Sequence, residues 1–252
     1  MTGAPTPAPA LEPQPAGLSY PARIVNVFFA PSKTFTDLKR KSGWLVPFLL
    51  IAMVSVFFVW AVDAKIGFDK VSENQIKMNP KAMDRFEKLS PQDRQKQLDL
   101  SAKITKYASY ASPVFVLVIM LIISAVYLGT FNFGMGAQLK FGTTLAVVIY
   151  AGIPSVLKSL LAIVTLFAGV DPDGFMIQNP VATNLGALVD PTVHRTLFSI
   201  GSNLDIFAIW SLILTGIGFS CVTKVKRGPA MAVAFGWYLV YVLVAAGFTL
   251  IV

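Results

Sequence analysis

The chain has 252 residues, of which 55% are hydrophobic and 13% charged. A soluble domain carries roughly a quarter charged residues, so this composition excludes an ordinary soluble fold. The formal net charge of +8 is not arranged as a basic stripe interleaved with aromatics, which argues against a nucleic-acid surface.

Residues 1–21 are rich in Pro and Ala and carry one charge, Glu12. Such a segment cannot bury a core, and it reads as a disordered tail. It has neither the basic nor the apolar region of a signal peptide. Residues 22–43 follow, with Phe28, Phe29 and Phe35 beside Lys39, Arg40 and Lys41. Pro31 stops the first apolar run. Aromatic and basic residues in this mixture predict a cytoplasmic amphipathic helix lying in the headgroup zone.

Five apolar runs come next, each long enough to cross about 30 Å of hydrocarbon. They are residues 44–62, 114–133, 144–168, 204–222 and 230–252. The predicted fold is all-α: a polytopic five-span bundle over 44–252, with extracytoplasmic loops 63–112 and 171–203. In the long loop, Asn79-Pro80 and Ser90-Pro91 read as helix starts. Two helices are therefore expected there, the second with Leu100, Ile104, Tyr107 or Ala108, and Ala111 on its apolar face. The loop has ten Lys and Arg against seven Asp and Glu, ten less seven giving +3. Asn132, Gly134 and Gly136 close the second span and predict close helix contact. The stretch VATNLGALV in loop 171–203 is too broken to span and predicts a re-entrant or interfacial turn.

Basic residues set the orientation. Lys39–Lys41, Lys140, and Lys224, Lys226 and Arg227 fall on one side of a five-span chain. By the positive-inside rule that side is cytoplasmic, with the C-terminus outside. The chain has no N-x-S/T sequon, which fits a bacterial origin, so the expected location is a bacterial inner membrane.

Little in the sequence carries chemistry. There is one histidine, His194, and one cysteine, Cys221. Neither a phosphate loop nor a hydrolase or zinc-protease motif occurs. No enzyme, cofactor or metal is expected. Lys158 is the only basic residue deep in an apolar run, on a span interrupted by Gly152 and Pro154. A charge at that depth is costly and needs a partner or water. Lys158, Asp205 and Pro154 thus form a candidate intramembrane polar site. Lys158 is expected roughly 10 Å below the outer edge at 1.5 Å rise per residue, with Asp205 as partner. Asp205 also reads as an acid in a first helical turn, in which case Ser202 or Asn203 caps the helix.

Two stretches carry a resemblance. RIVNVFFAPSKTFTDLKRKSGWLVPFLLI has Pro31-Ser32 and Phe35 ahead of a Trp-led span. SNLDIFAIWSLILTGIGFSCVTKVKRGPAMAVAFGW has Leu204-Asp205, Phe207 and Trp210, then a basic turn. Both resemble the Yip family, the Ypt/Rab-interacting membrane proteins, and most closely its bacterial branch. The resemblance implies five spans and a cytoplasmic N-terminus. Eukaryotic members engage prenylated Rab GTPases, serve vesicle traffic and have a long cytoplasmic N-terminal domain. Here a Pro/Ala tail stands in that place, so a Rab-type GTPase is not an expected partner. The expected function is a non-enzymatic membrane scaffold or accessory subunit. Its partners would be lipids and another membrane protein or a second copy. The alternative is a small permease or channel working at Lys158.

Overall fold

The computed structural model describes residues 17–251, with no side-chain account of the last two. The Pro/Ala tail lies, through residue 16, outside the described residues. Every regular element among the described residues is helical. In chain order they are α1 Tyr20–Phe29, α2 Pro31–Asp37, α3 Leu45–Lys65, α4 Phe68–Lys77, α5 Pro80–Glu87, α6 Pro91–Tyr110, α7 Ser112–Gly129, α8 Phe141–Ala151, α9 Pro154–Gly169, α10 Arg195–Asn203, α11 Ile206–Val222 and α12 Arg227–Ile251. Four helical stretches among the described residues are long and apolar enough to cross a membrane: Leu45–Lys65, Ser112–Gly134, Phe141–Gly169 and Arg227–Thr249. The chain is an integral membrane protein. The fifth apolar helix, α11, has only 17 residues, about 25 Å at 1.5 Å per residue.

The two ends of the bundle differ. At one end α1 and α2 fold back on each other, held where Thr34 Oγ1 donates to the Arg23 carbonyl at 2.9 Å. This end also holds the α7–α8 link and the α11–α12 turn, since Ser42 bonds Thr143 at 2.9 Å and Arg227 donates to Ser32 at 3.0 Å. At the other end α4, α5 and α6 form a platform. Two of these helices start where the sequence signals place them: the side chains of Asn79 and Ser90 accept from Ala82 N and Asp93 N. The third, α4, is an addition to the two expected. Its Phe68 and Val71 are buried against α3, α6 and Phe175. Asn74 donates to the carbonyls of Pro172 and Phe175 at 2.7 and 3.0 Å, pinning α4 to the loop after α9.

The apolar face expected on α6 is not its packing face. Leu100, Ile104 and Tyr107 are exposed, while the small Ala102 is buried where α4 crosses. A methyl group there lets the two helices approach. The Asn132–Gly136 cluster also has a different purpose from the one its small residues suggest. A Cβ on Gly134 or Gly136 would meet nothing within 4 Å. Gly136 instead supplies a φ of 64° for the turn, a conformation costly for other residues. Asn132 laces that turn, donating to Leu139 O at 3.1 Å and accepting from Leu139 N at 2.9 Å. The close helix contacts lie in α11: a Cβ on Gly218 would sit 2.6 Å from Val147 Cγ1 and 3.0 Å from the Phe35 ring.

The N-terminal helices are a wedge in the bundle rather than a flat surface helix. Val27, Phe35 and Leu38 are fully buried. Phe28 packs edge-on against Trp210 with ring centroids 5.5 Å apart. Trp210 is twelve residues from Val222, about 18 Å along α11, so the wedge reaches well up that helix. Its buried charge is neutralised internally. Arg23, 2% exposed, bonds Asp37 at 2.7 Å and donates to the Lys41 carbonyl at 2.9 Å.

Candidate functional site

The third apolar run is broken between α8 and α9, and local chemistry explains how. Pro154 has no N–H to donate, and its ring excludes the preceding turn. The backbone closes the gap with tighter bonds: Ile153 N reaches Tyr150 O at 3.2 Å, Ser155 N reaches Gly152 O at 3.0 Å, and Val156 N reaches Ile153 O at 2.9 Å. The break is a hydrogen-bonded kink that leaves these carbonyls satisfied.

Lys158 lies four residues past Pro154, so the carbonyl turn that starts at the kink ends beneath it. Eleven residues separate Lys158 from Gly169, about 16 Å along α9 at 1.5 Å per residue. Its Nζ meets Asp205 Oδ2 at 3.0 Å, and the two side chains are 25% and 5% exposed. Asp205 comes within reach because α11 is short and starts below the level of the platform. The chain before it descends into the bundle as a turn: Ile206 N donates to Thr183 O at 3.1 Å, and Asn184 bridges Asp205. Irregular backbone is tolerated at such depth only where protein satisfies it. The main-chain bonds from Ile206 N to Thr183 O and from Thr183 N to Val181 O, the latter at 2.8 Å, do this locally, and the side-chain amides of Asn179 and Asn184 pair with each other at 2.5 and 3.3 Å.

Asp205 therefore holds two positions at once. Oδ1 caps α11, accepting from Phe207 N at 2.9 Å and Ala208 N at 3.2 Å. Oδ2 accepts from Lys158 and from the Thr183 hydroxyl, the latter at 2.5 Å. The cap is Asp205 itself, not Ser202 or Asn203. A carboxylate with four donors is well compensated for burial. Pro154 contributes the kink and no polar atom. Sequence reasoning missed Thr183, Asn184 and Asn179, which sit in a loop without periodicity.

The six residues proposed as an interfacial anchor separate. Phe29 is 84% exposed, and Lys39, Arg40 and Lys41 are exposed at the same end. Phe35 is in the core and Phe28 is turned onto Trp210. Arg40 pairs with Asp37 at 3.3 Å. The buried Arg23–Asp37 pair was not foreseen. Its members are fourteen residues apart across the Pro31 break, and only the fold-back of α2 onto α1 joins them.

Two cavities among the described residues stand out. One, about 220 Å³, lies between α3, α7 and α9 and is lined by Ser55, Ser155 and Ser159. The other, about 560 Å³, lies at the platform end between α10 and α12 and includes Gln75, Asn79 and Gln178. Lys158 lines neither. Among the described residues no three His, Cys, Asp or Glu side chains cluster as a metal site would require. His194 is exposed, and Cys221 is a half-buried free thiol.

In the platform, Lys70 bridges Glu73 and Asp173, and Lys77 bonds Glu73 at 2.5 Å. The hydrogen bond from Lys77, then that from Lys70, holds the Glu73 carboxyl below its ordinary value. Asp173 is lowered in the same way by the Lys70 hydrogen bond.

Comparison with known proteins agrees with this architecture. None of the curated proteins and none of the solved structures gives a significant match. A family model described as the Yip1 domain matches residues 25–248, which takes in the wedge from Val25 onward, the kinked helix and the Lys158–Asp205 pair. With nearly the whole length covered, the chain belongs to the Yip1-domain family of membrane proteins.

Proposed function

We propose that this protein is a non-enzymatic scaffold or accessory subunit of a membrane complex. It crosses a bacterial inner membrane five times, with a cytoplasmic N-terminus and an extracytoplasmic platform. The observation that supports this reading most is the occupation of Lys158. Its charge is matched by Asp205, and the same carboxylate caps α11 and anchors the re-entrant turn. A buried ion used in this way serves architecture. Contacts favour a fifth crossing: α11 begins at the platform end, beside Thr183, and runs to the end where Arg227 meets Ser32. The α12 helix returns to the platform end, where Thr249 bonds Thr196 at 2.9 Å.

The rival is a small permease or channel at Lys158, favoured by the broken α8–α9 helix. Against it, the kink is closed by backbone bonds and the lysine lines neither cavity. Two measurements separate the readings. Light scattering in mild detergent should give a particle larger than one chain, or a defined complex. Solute uptake into proteoliposomes should be unchanged by Lys158→Met. A lone monomer under several gentle conditions, or Lys158-dependent uptake, would overturn the scaffold reading.

A further inference from the structure

The cavity between α10 and α12 is the larger of the two, at about 560 Å³, within the usual range for a small-molecule site. Its lining is unusual for a membrane bundle. Arg195 is its only charged residue. Arg195 is half-buried and has no ion-pair partner among the described residues. Around it stand uncharged hydrogen-bonding groups. The amides of Gln75 and Gln178 make no hydrogen bond to other described residues, while Ser202 Oγ is packed against Gly186 at the cavity wall. A guanidinium among hydroxyls and free amides, with no competing carboxylate, selects an anion with several acceptor oxygens.

The position of the cavity says which anion. It is lined along α12 from Tyr241 to Thr249, eight residues or about 12 Å. Thr249 ends a candidate span and Tyr241 lies within it. The site therefore runs from the membrane edge into the hydrocarbon. Its polar groups share walls with Phe198 and Tyr241. Beside it on α12, Val244 and Phe248 are 53% and 62% exposed, an apolar track on which acyl chains can lie. A free phosphate would use the arginine and leave the aromatic wall unfilled.

We infer that this cavity binds the phosphodiester headgroup of an anionic phospholipid, with Arg195 as the phosphate ligand. Basic pockets between membrane helices take anionic headgroups by this chemistry. The inference is independent of the scaffold reading, because it concerns neither Lys158 nor assembly.

The test uses the full chain in detergent, with lipid retention followed by native mass spectrometry. Phosphatidylglycerol, phosphatidylcholine and glycerol phosphate are the three probes. Both lipids offer a phosphodiester, but Arg195 repels the choline ammonium, so the wild type should retain phosphatidylglycerol at about tenfold or more lower concentration than phosphatidylcholine. Arg195→Gln should abolish that preference while leaving the unfolding midpoint in place. Millimolar glycerol phosphate should not displace the lipid. If Arg195→Gln does not fold, Ser199→Trp, which fills the cavity from α10, should abolish retention instead. Equal retention of the two lipids by the wild type overturns the proposal, as does an Arg195→Gln protein with its preference intact. Full displacement by glycerol phosphate would overturn the lipid assignment and leave a soluble-anion site.

Discussion

Asp205→Asn should destabilise the protein more than Lys158→Met, although the two remove the same ion pair. The asymmetry follows from what each change strands. In Asp205→Asn the amide oxygen can still cap α11, but Lys158 loses its counter-charge. Removing one partner of a buried pair costs about 3–5 kcal/mol. Lys158 is 25% exposed and its stem can swing towards water, which lowers the expected cost to about 2–3 kcal/mol. In Lys158→Met the carboxylate keeps three donors: Thr183 Oγ1, Phe207 N and Ala208 N. That loss should be about 1.5 kcal/mol, the low end for a hydrogen bond to a charged group, because the other donors remain. The double variant should cost about as much as Lys158→Met alone, giving a coupling of about 2 kcal/mol. Unfolding by SDS in mixed micelles reads this through tryptophan fluorescence, with Trp210 five residues from Asp205. Equal costs for the two single changes, or an additive double variant, would refute the assignment of Asp205 as counter-ion and cap together.

Three further outcomes are expected. Gly218→Ala should cost about 1–3 kcal/mol by overpacking, because its Cβ would meet Val147 and Phe35 at 2.6 and 3.0 Å; Gly134→Ala, with nothing near it, should be silent in the same melt. Lowered pH should loosen the platform: the stabilisation from Glu73 is present above the unfolded carboxylate value of about 4.3 and is lost as pH falls through its lower folded value. Hydrogen exchange of residues 173–178, corrected for intrinsic rate, should then rise while α9 stays protected; unchanged protection below that pH would count against the Lys70–Glu73–Asp173 tie. In a Cys221→Ser background, Gln95→Cys should be labelled by an impermeant maleimide from outside, and Gly228→Cys only after the membrane is opened. Cytoplasmic labelling at Gln95 would mean an inverted orientation or one crossing fewer.

What the sequence made legible was local or costly. Asn79-Pro80 and Ser90-Pro91 announced α5 and α6 because capping and a missing N–H act within one turn. Lys158 and Asp205 could be paired on paper because a charge at that depth must be matched, and few acids lay near that level. What stayed hidden depended on the path of the chain. Thr183 and Asn184 belong to a turn without periodicity, and only their descent beside α11 makes them partners of Asp205. Arg23 and Asp37 meet because α2 folds back, an event that Pro31 permits but does not direct. The exposed face of α6 misled for a related reason. Apolar spacing showed that Leu100, Ile104 and Tyr107 share a side, and Ala102 determined which side packs.

The shortness of α11 bears on how the molecule is made. About 25 Å of helix headed by a carboxylate is a weak candidate for entering a bilayer unaided. Its neighbour α12 follows after four residues, 223–226, and a Cβ on Gly216 would come within 3.0 Å of the Met231 backbone. Backbones that approach this closely associate well once inside a membrane. If α11 crosses as proposed, the last two helices are suited to leave the ribosome and enter together as one hairpin, the longer carrying the shorter. Asp205 would then find Lys158 already in place on a helix synthesised earlier, so the ion pair closes late in assembly and fastens a bundle whose helices are already inserted.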